Sequence, residues 1–169
     1  MWYSYLSQIE TELGEYDVAL KNNLKSREYF VNNPLNISIA KKLELDIHYL
    51  KEDYRSAFDL AEELSSVSTD VTGDFRHDII LYYKGCIFFQ QGDFRSAARH
   101  FNLKFQLTRD KLGWEVNIRF MRIISMIELD KADEAHAMVE ALTKYIERYR
   151  HQKALALRDK MILTLLQEL

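Results

Sequence analysis

Four short turn segments recur along the chain, and an alanine follows each of them at the same offset. The segments are Gly14-Glu15-Tyr16, Glu52-Asp53-Tyr54, Gly92-Asp93-Phe94 and Asp130-Lys131-Ala132. The alanines that follow them, Ala19, Ala57, Ala97 and Ala135, are separated by 38, 40 and 38 residues. A fixed period with the same turn chemistry is typical of an array of helical hairpins, in which each turn joins two helices. The spacing therefore predicts a helical repeat protein.

The rest of the sequence favours helix almost throughout. Its 169 residues include one proline and five glycines, so few residues interrupt a helix. Apolar residues at helical spacing predict nine helices, at about 2–13, 17–31, 35–50, 54–64, 75–90, 93–110, 114–129, 133–149 and 152–169. Residues 65–74, SSVSTDVTGD, are predicted to form a loop. The predicted apolar stripe of the first helix consists of Tyr5, Leu6, Ile9 and Leu13.

The third unit is the best-preserved copy of the repeat, and it resembles the tetratricopeptide repeat family. That family's unit reads W-x2-L-G-x2-Y, then A-x3-F, then P. Matching positions in this chain are Leu81, Lys84, Gly85 and Phe88, followed by Ala97 and Phe101. In the first unit Tyr3 and Leu6 match the opening, whereas Asn23, Ala61 and Val139 occupy positions where the family has an aromatic residue. The period is also longer than the usual 34 residues, which makes the set divergent.

The resemblance implies an all-α fold, an α-solenoid of about four antiparallel helix pairs with a C-terminal capping helix, wound as a right-handed superhelix. The whole chain, 1–169, would form one repeat domain. Its units would cover about 1–33, 34–72, 73–111 and 112–150, with the terminal helix at 151–169. Gly85 and Ala97 would lie at close contacts between paired helices.

Such arrays bind a peptide or a partner helix in a concave groove lined by the first helix of each pair. The family's groove positions correspond here to Lys42, Asp46, Tyr49, Tyr82, Cys86, Phe89, Gln90, Asn117, Phe120, Ile124 and Glu128. Two alternatives stay open for these residues. Apolar side chains such as Phe89, Phe120 and Ile124 would equally well pack between repeats, and polar ones such as Lys42 and Asn117 would equally well be solvated. The lysine and asparagine clamp of chaperone-cofactor repeats is missing.

Charge is unevenly distributed along the chain. Residues 1–70 hold 7 Lys/Arg and 13 Asp/Glu, and residues 71–169 hold 16 and 13. The basic excess lies mainly at Lys144, Arg148, Arg150, His151, Lys153, Arg158 and Lys160. This segment is the basis of a nucleic-acid hypothesis, but a net charge of −3 and the intervening Glu147 and Asp159 argue for a solvated face instead.

No catalytic constellation is found in the sequence, so we expect no enzyme, metal or cofactor. The five histidines form no metal-binding motif, and Cys86 beside Gly85 is interpreted as a small buried hydrophobe. One cysteine, no long apolar run and no leader favour a cytoplasmic protein that does not enter membranes.

The sequence thus predicts a protein-interaction scaffold, with a possible homodimer through the wide apolar stripe of the last helix. An alternative function is a regulatory or sensor segment of a larger bacterial signalling protein or transcription regulator. Its basis is the segment Ala154–Asp159, which is similar to the helix that follows the repeats in some regulators.

Overall fold

A computed structural model describes residues 2–30, 32–66, 74–103, 112–149 and 155–168, except the side chains of residues 74–77. These residues form nine helices and no strand, which confirms the predicted all-α class. The helices are α1 (Trp2–Glu12), α2 (Tyr16–Glu28), α3 (Pro34–Leu50), α4 (Tyr54–Ser66), α5 (Asp74–Gln90), α6 (Phe94–Phe101), α7 (Trp114–Glu128), α8 (Ala132–Tyr149) and α9 (Leu157–Gln167).

Two helices differ in their described bounds from the predicted ones. Helix α6 ends at Phe101, Asn102 and Leu103 are no longer helical, and the rest of the predicted range lies outside the described residues. Helix α9 begins at Leu157 and not near residue 152, since Ala156 has an extended backbone. The predicted loop at 65–74 lies mostly outside the described residues, although α4 continues through Ser66 and α5 begins at Asp74.

The four predicted turns share one backbone geometry. Each has a residue in the left-handed region, namely Gly14 (φ 79°), Glu52 (φ 64°), Gly92 (φ 78°) and Asp130 (φ 57°). The N–H of the next residue then reaches back five residues, as in the bond from Asp93 to the carbonyl of Phe88 at 2.9 Å. This pattern is the Schellman ending of a helix, which satisfies carbonyls that the helix leaves open.

The alanine after each turn has the same environment in all four copies. Ala19, Ala57 and Ala97 are fully buried, and Ala135 is nearly so. Each donates its backbone N–H to the residue four positions earlier, which begins the second helix; the N–H of Ala97, for example, bonds to the carbonyl of Asp93 at 3.0 Å. The repeat seen in the sequence is therefore also a repeat of local structure.

The chain divides into two compact units, residues 1–87 and 88–169, with the boundary inside α5. In unit 1, α1 to α4 pack in order, and α1 also contacts α3. One cluster of buried apolar residues in this unit consists of Leu45, Ala61, Leu64 and Ile80, and the last of these comes from α5. The predicted division into four units within a single domain stays a prediction.

The predicted apolar stripe of α1 is wrong at Tyr5, Ile9 and Leu13, which are exposed, because the residues of this helix that are buried within unit 1 are small and polar. Ser7 and Thr11 are buried, and the hydroxyl of Ser7 donates to the carbonyl of Ala19 at 2.8 Å. Ile9 and Leu13 are 53 % and 69 % exposed. On α2, likewise, the polar Asn23 is buried, whereas Leu24 is exposed.

In unit 2, α6, α7, α8 and α9 pack in order, and α9 also contacts α7. Its core contains Val116, Phe120, Ile123, Val139, Leu142 and Leu166. Leu166 joins α9 to this core, whereas Leu157, Met161 and Leu165 form an exposed apolar stripe on the same helix. The terminal helix thus covers the end of unit 2 with one face and leaves the other uncovered.

Candidate binding surface

Helix α3 brings three predicted groove residues onto one face. Lys42, Asp46 and Tyr49 follow one another at intervals of four and three residues, which places them together along a helix. The Lys42 Nζ lies 2.5 Å from the Asp46 Oδ2, so the two side chains form an ion pair. Both are half-buried, and the rim of the face is therefore charged.

Helix α5 adds aromatic rings to this face. Tyr83 meets the ring of Tyr49 edge-on at 5.4 Å, and the Lys42 Nζ lies 5.5 Å from the centre of the Tyr83 ring. Tyr82 lies beside Tyr83, with ring centres 6.4 Å apart. We call Lys42, Asp46, Tyr49, Tyr82 and Tyr83 the tyrosine cluster. The sequence predicts four of its members as groove residues and misses Tyr83, which is their common contact.

Burial shapes the ionisation of the tyrosine cluster. It raises the pKa of the Asp46 carboxyl, while the positive charge of Lys42 acts in the opposite direction. It also raises the pKa of the Tyr83 hydroxyl, an effect that the nearby Asp46 charge increases. Tyr83 is therefore a neutral hydroxyl at physiological pH.

Cys86 lies behind the tyrosine cluster and is buried. Burial raises the pKa of its thiol to about 12, although hydrogen bonds with Tyr82 and Tyr49 oppose this shift. A thiol with such a pKa is almost entirely protonated at pH 7, and the thiolate is the nucleophilic form. The position thus suits packing, as the sequence predicts, and not nucleophilic chemistry.

The predicted groove residues of unit 2 are not gathered in the same way. Phe120 is 2 % exposed and belongs to the core, so its position favours the packing alternative. Asn117 accepts a bond from the Arg158 Nη2 at 2.7 Å, and Phe89 is half-buried against Phe94, with ring centres 5.2 Å apart. Gln90 and Glu128 are exposed.

Of the C-terminal basic residues that are described, one is paired with a buried carboxylate and three are exposed. Lys144, Arg148 and Lys160 are exposed, whereas Arg158 pairs with the buried Asp159 at 2.7 Å. Arg150, His151 and Lys153 lie outside the described residues.

Neither a metal site nor a membrane span is found in the part of the chain that the structure describes. There, no group of three or more His, Cys, Asp or Glu side chains is arranged to hold a metal ion. His136 and Glu140 approach to 3.7 Å as an exposed pair only. Among the same residues, no helix is both long enough and apolar enough to cross a bilayer.

A scan against protein-family models and searches of curated proteins and of solved structures give no match for this chain. A functional interpretation therefore depends on the repeat geometry and on the surfaces themselves.

Proposed function

We propose that the chain is a divergent tetratricopeptide-like module that binds a segment of another protein and performs no chemistry of its own. The observation that carries this proposal is the turn geometry repeated at 14, 52, 92 and 130, each followed by a buried alanine. Stacked helical pairs of this kind present long side-chain surfaces, and binding is what such arrays are suited to.

Within this proposal, the tyrosine cluster is the part of the surface that contacts the partner. Tyrosine contributes strongly to interfaces because a large apolar ring and a hydroxyl are ordered at little entropic cost. Lys42 adds a cation that is already held in place by Asp46, 2.5 Å away. The cluster suits a short peptide with an aromatic or aliphatic anchor and a nearby acidic or carbonyl oxygen.

Selection of peptides from a displayed library, followed by fluorescence anisotropy of the enriched sequences, tests the proposal. Tyr82→Ala should weaken binding about tenfold or more, in the range seen when an anchoring aromatic residue is truncated. The matched control is Tyr5→Ala, which removes an exposed tyrosine from α1 of the same unit. The proposal fails if no peptide is enriched, or if the enriched peptides bind both variants equally.

The exposed stripe of α9 leads us to propose that the module also forms a homodimer through this helix. Leu157, Met161 and Leu165 are all more than half exposed, at one-turn intervals on one face. Sedimentation velocity should show a dimer for the wild type and a monomer for Met161→Lys/Leu165→Lys. A monomeric wild type at micromolar concentration would remove this part of the proposal.

A further inference from the structure

A concave surface lies on unit 2, and none of the residues that the groove prediction names is among those that line it. It is a cavity of about 430 Å³ between α6 and α7. This volume is within the range of about 300–1,000 Å³ in which protein pockets hold ligands. The lining residues are Arg95, Ala98, Arg99, Asn102, Arg122, Met126, Leu129 and Lys131.

Each helix contributes one face to this cavity. Helix α6 supplies Arg95, Ala98 and Arg99, and Asn102 follows at the end of this helix. These four residues are spaced as neighbours on one face of a helix are. Arg122 and Met126 are one turn apart on α7, and Leu129 ends that helix. The cavity is therefore built from regular helices, which hold its side chains in fixed register.

The lining is strongly cationic, and the described residues that form it include no carboxylate. Four of the eight residues are Arg or Lys. Lys131 is partly neutralised by Glu134, 2.6 Å away, and the Arg99 Nη2 donates to the neutral hydroxyl of Ser96 at 2.9 Å. No side chain of the described residues forms an ion pair with Arg95, Arg99 or Arg122.

Arg122 is the most informative of these residues. It is half-buried, and its Nε is a buried donor without a hydrogen-bond partner in the described structure. Native proteins rarely leave a buried donor unused, so such an atom requires an explanation. Arg122 lines this cavity and two neighbouring ones, so an acceptor bound here is one way to engage its guanidinium group.

The acidic side chain whose charge interacts with Arg95 and Arg99 does not take the place of such an acceptor. Asp93 lies close enough to Arg95 and Arg99 for their charges to contribute to lowering its pKa, although hydrogen bonds with Ser96 are the larger cause. Its Oδ1 accepts the backbone N–H of Ser96 at 3.0 Å and so caps α6. The carboxylate is thereby held at the start of the helix, and it is not part of the cavity lining.

We propose that this cavity binds an acidic segment of a protein partner, with carboxylates at the arginines and an apolar side chain on Ala98, Met126 and Leu129. Arginine binds carboxylates through paired, charge-assisted hydrogen bonds. The apolar floor suits a peptide that carries a hydrophobic residue between acidic ones. Nucleic acid fits less well, because single strands are held by stacking on aromatic rings and none of the described lining residues is aromatic.

Fluorescence anisotropy with a labelled Glu-Glu-Leu-Glu-Glu-Leu peptide tests this proposal on the full chain. Arg95→Gln/Arg99→Gln, which alters two exposed side chains, should weaken binding about tenfold or more. The matched control, Lys144→Gln/Arg148→Gln, removes the same charge from the exposed face of α8 and should change binding less than about twofold. A Gln-Gln-Leu-Gln-Gln-Leu peptide should not bind.

A second variant, Arg122→Met, keeps the stem of the side chain and removes the buried donor. Arg122→Met should weaken binding of the acidic peptide about as much as Arg95→Gln/Arg99→Gln does. Circular dichroism checks that the variant is folded. Failure of the wild type to bind the acidic peptide would overturn the proposal, as would equal losses in the cavity and control variants. Tighter binding of a ten-residue oligothymidylate, lost in the cavity variant, would assign the site to nucleic acid instead. The result is independent of the tyrosine cluster, which lies in unit 1.

Discussion

At the scale of single residues, the four turns depend on a backbone conformation that most side chains avoid. Gly92 has φ 78°, and a Cβ added there would meet no atom within 4 Å. Gly92→Ala should therefore destabilise the protein by about 1 kcal/mol through backbone strain alone, without a steric clash. Urea denaturation followed by circular dichroism measures this loss. Gly92→Asn should lose less stability than Gly92→Ala, since asparagine tolerates the left-handed conformation better. An alanine variant as stable as the wild type would contradict this prediction.

Cys86 provides a second prediction at this scale. Because burial raises the pKa of its thiol to about 12, little thiolate is present at pH 8. The native protein should react with a disulfide reagent roughly a hundredfold or more slowly than the unfolded chain, in which the pKa returns to about 8.5. The reagent releases a coloured thiol as it reacts. The rate of this release at pH 8, measured with and without guanidinium, gives the ratio of the two reaction rates. Similar rates in the two states would mean that the thiol is accessible and reactive.

At the scale of helices and turns, the sequence predicts those features that depend on residues close together in the chain, such as helix starts and turns. The helix that begins after Asp93 starts where an aspartate can cap it, and the turns occur where a left-handed residue ends a helix. The buried face of α1 cannot be predicted in this way. Spacing identifies the helix, but the neighbouring helices decide which face they cover, and here they cover Ser7 and Thr11.

The same limit applies to the binding surfaces. The tetratricopeptide resemblance names Lys42, Asp46 and Tyr49 together, and they lie together because one helix carries them at one-turn intervals. Helix α7 has apolar residues on several faces, so the sequence cannot tell whether Phe120 points to the core or to solvent. The basic cavity is missed because its arginines come from two helices, and only the packed structure brings Arg99 and Arg122 to one place.

The inverted face of α1 has a measurable consequence for stability. Ile9→Lys should change the free energy of unfolding by no more than about 0.5 kcal/mol, because the side chain is already 53 % exposed. Leu45→Ala, a fully buried position of the same unit, should cost about 2–5 kcal/mol. Chemical denaturation of both variants makes the comparison. A loss for Ile9→Lys that approaches that of Leu45→Ala would restore the predicted stripe.

At the scale of the whole molecule, α5 is the element that belongs to both units. Ile80 lies in the core of unit 1. Beyond the boundary after Ile87, Phe88 contacts the ring of His100 and Phe89 contacts Phe94, all within unit 2. A helix forms cooperatively, so the loss of its first turns weakens its last ones. We therefore expect destabilisation of one unit to be transmitted to the other along this helix.

Two probes separate the units in a test of this expectation. In a Trp2→Phe background, Trp114 is the only tryptophan and reports on unit 2, whereas circular dichroism reports on all helices. Leu45→Ala in unit 1 should then lower the urea midpoint of Trp114 fluorescence together with that of circular dichroism, as one cooperative transition. Ile123→Ala, at a buried position of unit 2, is the reciprocal variant and should also shift both signals. If Trp114 kept the midpoint of the background protein while circular dichroism showed an earlier loss of helix, the units would unfold independently, and the prediction of a single domain would be wrong.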